Sequence, residues 1–167
     1  LYPEPSVPSL ADPIRVKLTE YVEAFQAEFA DQNTSVNFRA VLEGDYRIFT
    51  TPLFTSYLFS LYRYTGGAHG MTDIITMTYD TNNEPVSFEE VIGGDPRTRL
   101  REAVSSYFTD EKTDSLWIDE GMDSFLQNPT FYVEDSGLVA VFQPYEIGPY
   151  SLGVVEIPLS LGQQKQR

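Results

Sequence analysis

Cysteine is absent from the 167 residues, which excludes thiol catalysis, Cys-ligated zinc and disulfide staples together. There is a single histidine, His69, so histidine-pair and three-histidine metal sites and the H-E-x-x-H helix are excluded as well. Basic residues are scarce: 11 Lys+Arg stand against 25 Asp+Glu, for a formal charge of −14 and a pI near 4.2. A surface of that sign repels phosphate backbones and anionic headgroups, so nucleic acid is not expected as a partner. No apolar run approaches the roughly 18 residues that span a bilayer. The opening LYPEPSVPSL is neither basic nor long enough for a signal peptide. Because the chain begins without methionine at this proline-rich stretch, we expect a piece of a longer protein whose anchor or targeting segment precedes it. Membrane association is then expected only through an anchor outside this chain.

What is present suffices for one domain. With 41% hydrophobic and 14% aromatic residues, a chain of this size buries roughly 70% of the surface its unfolded form exposes. Residues 1–11, with Pro3, Pro5 and Pro8, read as an extended linker. Asp12 and Pro13 are placed as the cap and first residue of a helix. Ile14, Leu18, Tyr21, Val22, Phe25 and Phe29 recur along it at spacings of three and four, and it ends near residues 31–33. Val36 to Leu42 alternates as a strand, Gly44-Asp45 reads as a turn, and Tyr46 to Thr51 reads as a second strand broken by Pro52. Phe54 to Tyr64 is dense enough in aromatic and β-branched residues for a central strand. Met71 to Tyr79 follows the glycine loop, and Asp80-Thr81-Asn82-Asn83 is turn chemistry.

Ser87 to Ile92 makes one helical turn, and Asp95 caps a second main helix with Pro96 at its first position. Arg97, Arg99 and Arg101 crowd its first turns, where the helix dipole favours acids. A short third helix is expected within residues 110–128. Phe131–Val133 and Leu138–Phe142 flank the hairpin signal Glu134-Asp135-Ser136-Gly137. Val154 to Leu159 closes the fold, and residues 161–167 are a polar tail. The elements group instead of alternating, which predicts a single α+β domain over residues 12–160, an antiparallel or mixed sheet with two main helices packed on one face.

Six features bear on candidate chemistry. His69 lies in Gly66-Gly67-Ala68-His69-Gly70, whose glycines suit positive φ or close approach. The loop lacks the dinucleotide spacing and no G-x-S-x-G elbow accompanies it, so a structural or recognition role is favoured over catalysis. Asp80, Asn82 and Glu84 alternate like a calcium loop, but Pro85 and Val91 stand where an EF-hand needs glycine and glutamate, and that motif is rejected. Asp119, Glu120 and Asp123, near Trp117, are either a solvated acidic face or the carboxylate pair of a glycosidase. From Glu102 to Ser160 there are 11 acids and one lysine, a net of −10 out of −14, which suits either solubility or a basic partner. Asn33-Thr34-Ser35 matches a glycosylation sequon. Finally, Pro144 to Gly153 sets Tyr145, Glu146 and Tyr150 among two prolines and two glycines, the composition of a docking loop or of a loop that staples the core.

Three stretches together resemble a known family. Tyr64-Thr65-Gly66-Gly67-Ala68-His69-Gly70, then Tyr79-Asp80 with Val86-Ser87-Phe88-Glu89-Glu90-Val91-Ile92, then Gly137 to Phe142 running into Pro144-Tyr145-Glu146-Ile147-Gly148-Pro149-Tyr150, resemble the RsiV-type extracellular domain, which also precedes the catalytic domain of PdaC-type peptidoglycan deacetylases. The resemblance covers residues 12–160 and is best over 58–92 and 130–159. It implies an α+β domain outside the cytoplasmic membrane and no catalysis for it; no cofactor and no metal are expected. In the RsiV-type anti-sigma factors the domain binds lysozyme. The expected function is therefore an extracytoplasmic binding or sensing module for a basic protein such as lysozyme or for cell-wall glycan. The recognition residues would be Gly66, Gly67, His69, Tyr145, Glu146 and Tyr150, with Trp117, Asp119, Glu120 and Asp123 beside them. A carboxylate-dependent glycan hydrolase and a purely structural spacer are the alternatives.

Overall fold

The structure, a computed structural model, describes residues 11–32, 40–109 and 115–161. Residues 1–10 of the expected linker, the sequon at Asn33, the strand residues before Ala40 and residues 162–167 of the expected tail lie outside the described residues, while Ala11, expected in the linker, opens the first helix. The order of elements is α1 (Ala11–Gln32), β1 (Val41–Thr50), β2 (Phe54–Tyr64), β3 (Met71–Asp80), α2 (Phe88–Ile92), α3 (Pro96–Tyr107), α4 (Ile118–Gln127), β4 (Phe131–Glu134), β5 (Gly137–Phe142) and β6 (Val155–Leu159). The fold is α+β, as the grouping of elements predicts. Its strands form two antiparallel three-stranded sheets, β1-β2-β3 and β4-β5-β6.

Period-two alternation sends each strand's side chains into different clusters. Tyr57, Phe59 and Tyr79 of the first sheet pack under Ile14 and Leu18 of α1, while Leu58 and Ile74 point the other way and meet Tyr132, Val139 and Val141 of the second sheet. The far side of the second sheet, with Leu138, Ala140 and Phe142, packs on Phe88, Leu100, Val104, Met122 and Phe125 from α2, α3 and α4. Each sheet thus carries helices on one face and meets the other sheet with its second. All six residues of β5 are buried, because it has protein on both faces.

The sheets are also joined by hydrogen bonds. β4 is an edge strand, and its outward Phe131 and Val133 N–H groups donate to Thr76 Oγ1 (3.0 Å) and Ser56 Oγ (2.9 Å) on the first sheet. Ser56 Oγ is in turn 2.9 Å from Thr78 Oγ1, which accounts for two buried hydroxyls and closes an edge that would otherwise be open to pairing. At the open end of the first sheet, Asp73 accepts from Tyr21 (2.5 Å) and from Arg63 Nε (2.7 Å), fixing α1 to β2 and β3. Burial and the adjacent carboxylate push the Tyr21 hydroxyl pKa well up.

The expected turn at Gly44-Asp45 is instead the middle of β1, where these residues pair with Leu61 and Ser60. A Cβ at Gly44 would lie 2.8 Å from Leu61 Cδ2, so glycine here makes room for a cross-strand neighbour. The arginines of α3 are also explained. Arg97 and Arg101 pair with Asp123 and Asp119 of α4, while Arg99 reaches Ile92 O and Ser160 O, the latter at 2.7 Å. The mismatch with the helix dipole is the cost of bracing α3 against α4 and the end of β6. Asp95 and Ser87 cap α3 and α2, Ser87 within a reciprocal capping box with Glu90.

Candidate functional site

Two loops distant in sequence meet at one end of the sheets. The first joins β2 to β3. Gly66 and Gly67 adopt φ of 111° and 95°, conformations that side chains rarely take, and Tyr64 Oη donates to Gly67 O at 3.0 Å to hold the bend. The bend leaves His69 exposed and Gly70 buried. Gly70 O is the junction: it accepts from Tyr150 Oη at 2.9 Å and lies 3.0 Å from His69 Nδ1.

The second loop leaves β5 at Gln143. Glu146 N donates to Gln143 O at 3.0 Å and Gln143 N donates to Glu146 Oε2 at 2.8 Å, which makes a tight turn and aims the Glu146 side chain inward. Tyr145, at the tip of that turn, takes φ +69°. A bulky residue held there costs on the order of 1 kcal/mol or more, and such outliers concentrate at ligand-contact positions. The loop rests on the start of α4: Trp117 Nε1 donates to Tyr145 O at 3.0 Å, and Trp117 N donates to Ile147 O at 3.3 Å. Contact is close enough that a Cβ on Gly121 would stand 2.4 Å from Glu146 O. Pro149 then leads into a single 3-10 turn, Tyr150–Leu152.

The result is an aromatic stack shared by both loops. The His69 and Tyr150 rings lie 3.9 Å apart at 21°, and Tyr145 and Tyr150 lie 5.5 Å apart at 36°. Tyr150 is the half-buried centre, with Tyr145 at 47% exposure and His69 exposed on either side of it. Trp117, 38% exposed, adjoins through the Tyr145 carbonyl. Tyr150 Oη and His69 Nδ1 are both turned to the Gly70 carbonyl, while Tyr145 and His69 stay exposed on the two sides of Tyr150.

The other expected residues fare differently. Gly66 and Gly67 shape the loop. Asp119 and Asp123 are engaged by Arg101 and Arg97, while Glu120 is exposed on α4. Glu146 belongs to a polar cleft of about 440 Å³ shared with Gln143, Ser124, Asn128 and Lys17, where burial pushes its carboxyl pKa up against the opposing effect of hydrogen bonds from Gln143 and Ser124. Gln143 and Gly121 were not singled out from the sequence, and nothing local to them marks them. The α3–α4 ion pairs did leave a signal: Arg97/Arg101 and Asp119/Asp123 share one i,i+4 spacing, the pattern of facing helices.

Residues 90–161 match the model of a family described as "Protein of unknown function (DUF3298)". That stretch runs from α2 through the second sheet and includes the Tyr145–Tyr150 loop but not the glycine loop. Two solved structures of that family resemble the whole chain. A DUF3298-family protein of Pseudomonas aeruginosa PAO1 is 19% identical, with a TM-score of 0.63 over 96% of this chain and 82% of the other. A member from Bacteroides fragilis NCTC 9343 is 20% identical, with a TM-score of 0.61 over 92% of this chain and 70% of the other. At such identities the likeness establishes a shared fold. No curated protein matches the chain.

Proposed function

We propose that this chain is a non-catalytic recognition module of a cell-envelope protein, whose aromatic stack docks a basic protein of the lysozyme class. The observation that carries the reading is the meeting of His69 with Tyr145 and Tyr150 across about eighty residues of sequence, on the two loops that carry the resemblance to lysozyme-binding RsiV-type domains. An exposed tyrosine in a strained conformation, backed by a stacked ring and a tryptophan, is the kind of rigid aromatic anchor around which interfaces concentrate affinity. The charge of −14 speeds encounter with a cationic partner, and the stack supplies the specific contact.

A carboxylate glycosidase fits the geometry less well. Such chemistry needs two carboxyl groups about 5 to 10 Å apart across the scissile bond. Among the described residues, the cleft that holds Glu146 is lined by no second carboxylate, and Asp119 and Asp123 are tied to arginines. The reading is tested by titrating the domain with a basic lysozyme and, in parallel, with soluble peptidoglycan fragments, at low salt and at about 150 mM, where exposed charges are screened beyond about 8 Å. Saturable lysozyme binding that persists in salt and is lost with Tyr145→Ala or His69→Ala supports it. Binding of glycan fragments alone moves the ligand from protein to cell wall, and no binding of either leaves a structural spacer.

A further inference from the structure

β3 is an outer strand of the first sheet, and its free edge is stoppered at two points. Ile74 N–H donates to Gln143 Oε1 at 2.9 Å, and Gln143 Nε2 donates to Ile74 O at 2.8 Å. One side-chain amide thereby makes the pair of bonds that a residue of a neighbouring antiparallel strand would make. Farther along, Val86 N donates to Thr78 O at 3.0 Å and Asp80 N donates to Glu84 O at 2.9 Å, so the chain's own return covers that end. In an antiparallel strand every second residue turns its backbone groups to the same side. Thr76, between Ile74 and Thr78, therefore directs its N–H and C=O to this free edge. Among the described residues neither group has a partner, although the Thr76 side chain is engaged by Phe131 N.

This unpaired residue stands where two cavities adjoin. One, of about 310 Å³, is walled by Val86, Phe88 and Phe131. The other is the cleft of about 440 Å³ that holds Glu146, with the exposed Lys17 on its α1 side. Thr76 and Pro129 line both. An edge residue offering one donor and one acceptor, with an apolar pocket on one side and a polar one on the other, is the form of a strand-addition site.

We propose that this groove receives a short extended peptide segment of a partner protein, one residue of which pairs with both backbone groups of Thr76 as an added strand on β3. Gln143 and Val86 limit the pairing to that one residue, so the segment leaves the edge on either side and places an apolar side chain near Phe88 and a basic one near Glu146. Gln143 is the internal precedent, since its amide already docks on the same edge two residues away. The net charge of −14 selects a lysine- or arginine-bearing segment over an acidic one, with Glu146 set in a cleft whose other charged lining residue, Lys17, is exposed on its α1 side. This site shares the Gln143–Glu146 turn with the aromatic stack but uses none of the stacked rings.

The test uses a blocked hexapeptide alternating valine and lysine, in about 150 mM salt so that charge alone does not hold it. Saturation is expected to slow hydrogen exchange of the Thr76 amide about tenfold, and an ester-for-amide version of equal charge, unable to donate to Thr76 O, is expected to bind about tenfold more weakly. Thr76→Ser keeps both the backbone donor and the hydroxyl that accepts from Phe131 N and should bind within about threefold of the parent, while Thr76→Pro removes the donor and should lose about tenfold; the N–H is not part of the β2–β3 ladder. If Thr76→Pro does not fold, the exchange of the parent protein's amide decides alone. Unchanged Thr76 exchange at saturating peptide, no detectable peptide binding, or equal affinity for amide and ester peptides overturns the proposal. So does loss of peptide binding in Tyr145→Ala, which would leave the aromatic stack as the only docking surface.

Discussion

The Tyr145–Tyr150 loop, which meets the His69 loop, rests on the start of α4, yet the loops and the helix use their polar groups in opposite ways. In the loops, Tyr64, His69 and Tyr150 turn their polar atoms to the carbonyls of Gly67 and Gly70, which leaves ring faces at the surface. On α4, Asp119 and Asp123 are matched by arginines one helix away, so the stretch that dominates the acidity is partly neutralised where it faces the rest of the fold. The lesson is that the acidic residues of α4 brace the fold, while the loops leave aromatic rings at the surface. Half-exposed ion pairs contribute about 0 to 1 kcal/mol each and are screened by salt, whereas a buried aromatic anchor at an interface carries 2 kcal/mol or more.

Three substitutions and one double-mutant cycle sharpen that contrast. Phe125→Ala removes the α4 ring that packs on Phe88 and Phe142, and it should cost about 4 kcal/mol, read as a fall in the denaturation midpoint at unchanged slope. A drop below about 1 kcal/mol would mean that α4 is not anchored by its apolar face. Gly121→Ala drives a methyl group into the Glu146 carbonyl, so the Tyr145 loop must lift. About 2 kcal/mol of lost stability, or roughly 4 to 8 °C in thermal unfolding, is expected, together with weakened lysozyme binding although no contact residue has changed. Tyr150→Phe deletes the bond to Gly70 O and keeps the stack, which should cost about 1 kcal/mol in stability and loosen the two loops, visible as faster exchange at the His69 and Gly70 amides. A double-mutant cycle on Arg97 and Asp123 should return a coupling near 0.5 kcal/mol that shrinks as salt is added.

A fifth prediction concerns acid. The Glu146 carboxyl titrates above its ordinary value of 4.5 because it is desolvated, so the native state binds that proton more tightly than the unfolded chain does. Its stabilising contribution is full below the unfolded value and is lost as the pH rises through the native one. Glu146→Gln should therefore gain on the parent as pH climbs from about 4 to neutrality, the smallest effect of the five. The opposite drift would show that the carboxylate is held by its hydrogen bonds more strongly than it is penalised by burial.

Much of the fold is legible in the chain itself. The 3.6-residue spacing of Ile14 and Leu18, the cap Asp95 with Pro96, and the hairpin at Glu134 to Gly137 are local signals, and each appears where it points. Gly44-Asp45 misleads because glycine and aspartate mark turns, while here glycine yields to Leu61 and Asp45 Oδ1 accepts from Tyr46 N within the strand. The division into two sheets depends on Ser56 and Thr76 reaching β4 across more than fifty residues, and no local pattern encodes that. Of the candidate site, residue types and loops were readable; the meeting of imidazole and phenols, the positive φ of Tyr145 and the inward turn of Glu146 required three dimensions.

The most direct measurement is a ranking of two variants by their affinity for a basic lysozyme in about 150 mM salt: Tyr145→Ala, and the pair Asp119→Asn with Asp123→Asn. If ring faces make the contact, Tyr145→Ala weakens binding about thirtyfold and the paired amides change it by less than about threefold. The reverse order, with the amides abolishing binding and Tyr145→Ala leaving it intact, would contradict the account and place recognition in the charge of α4.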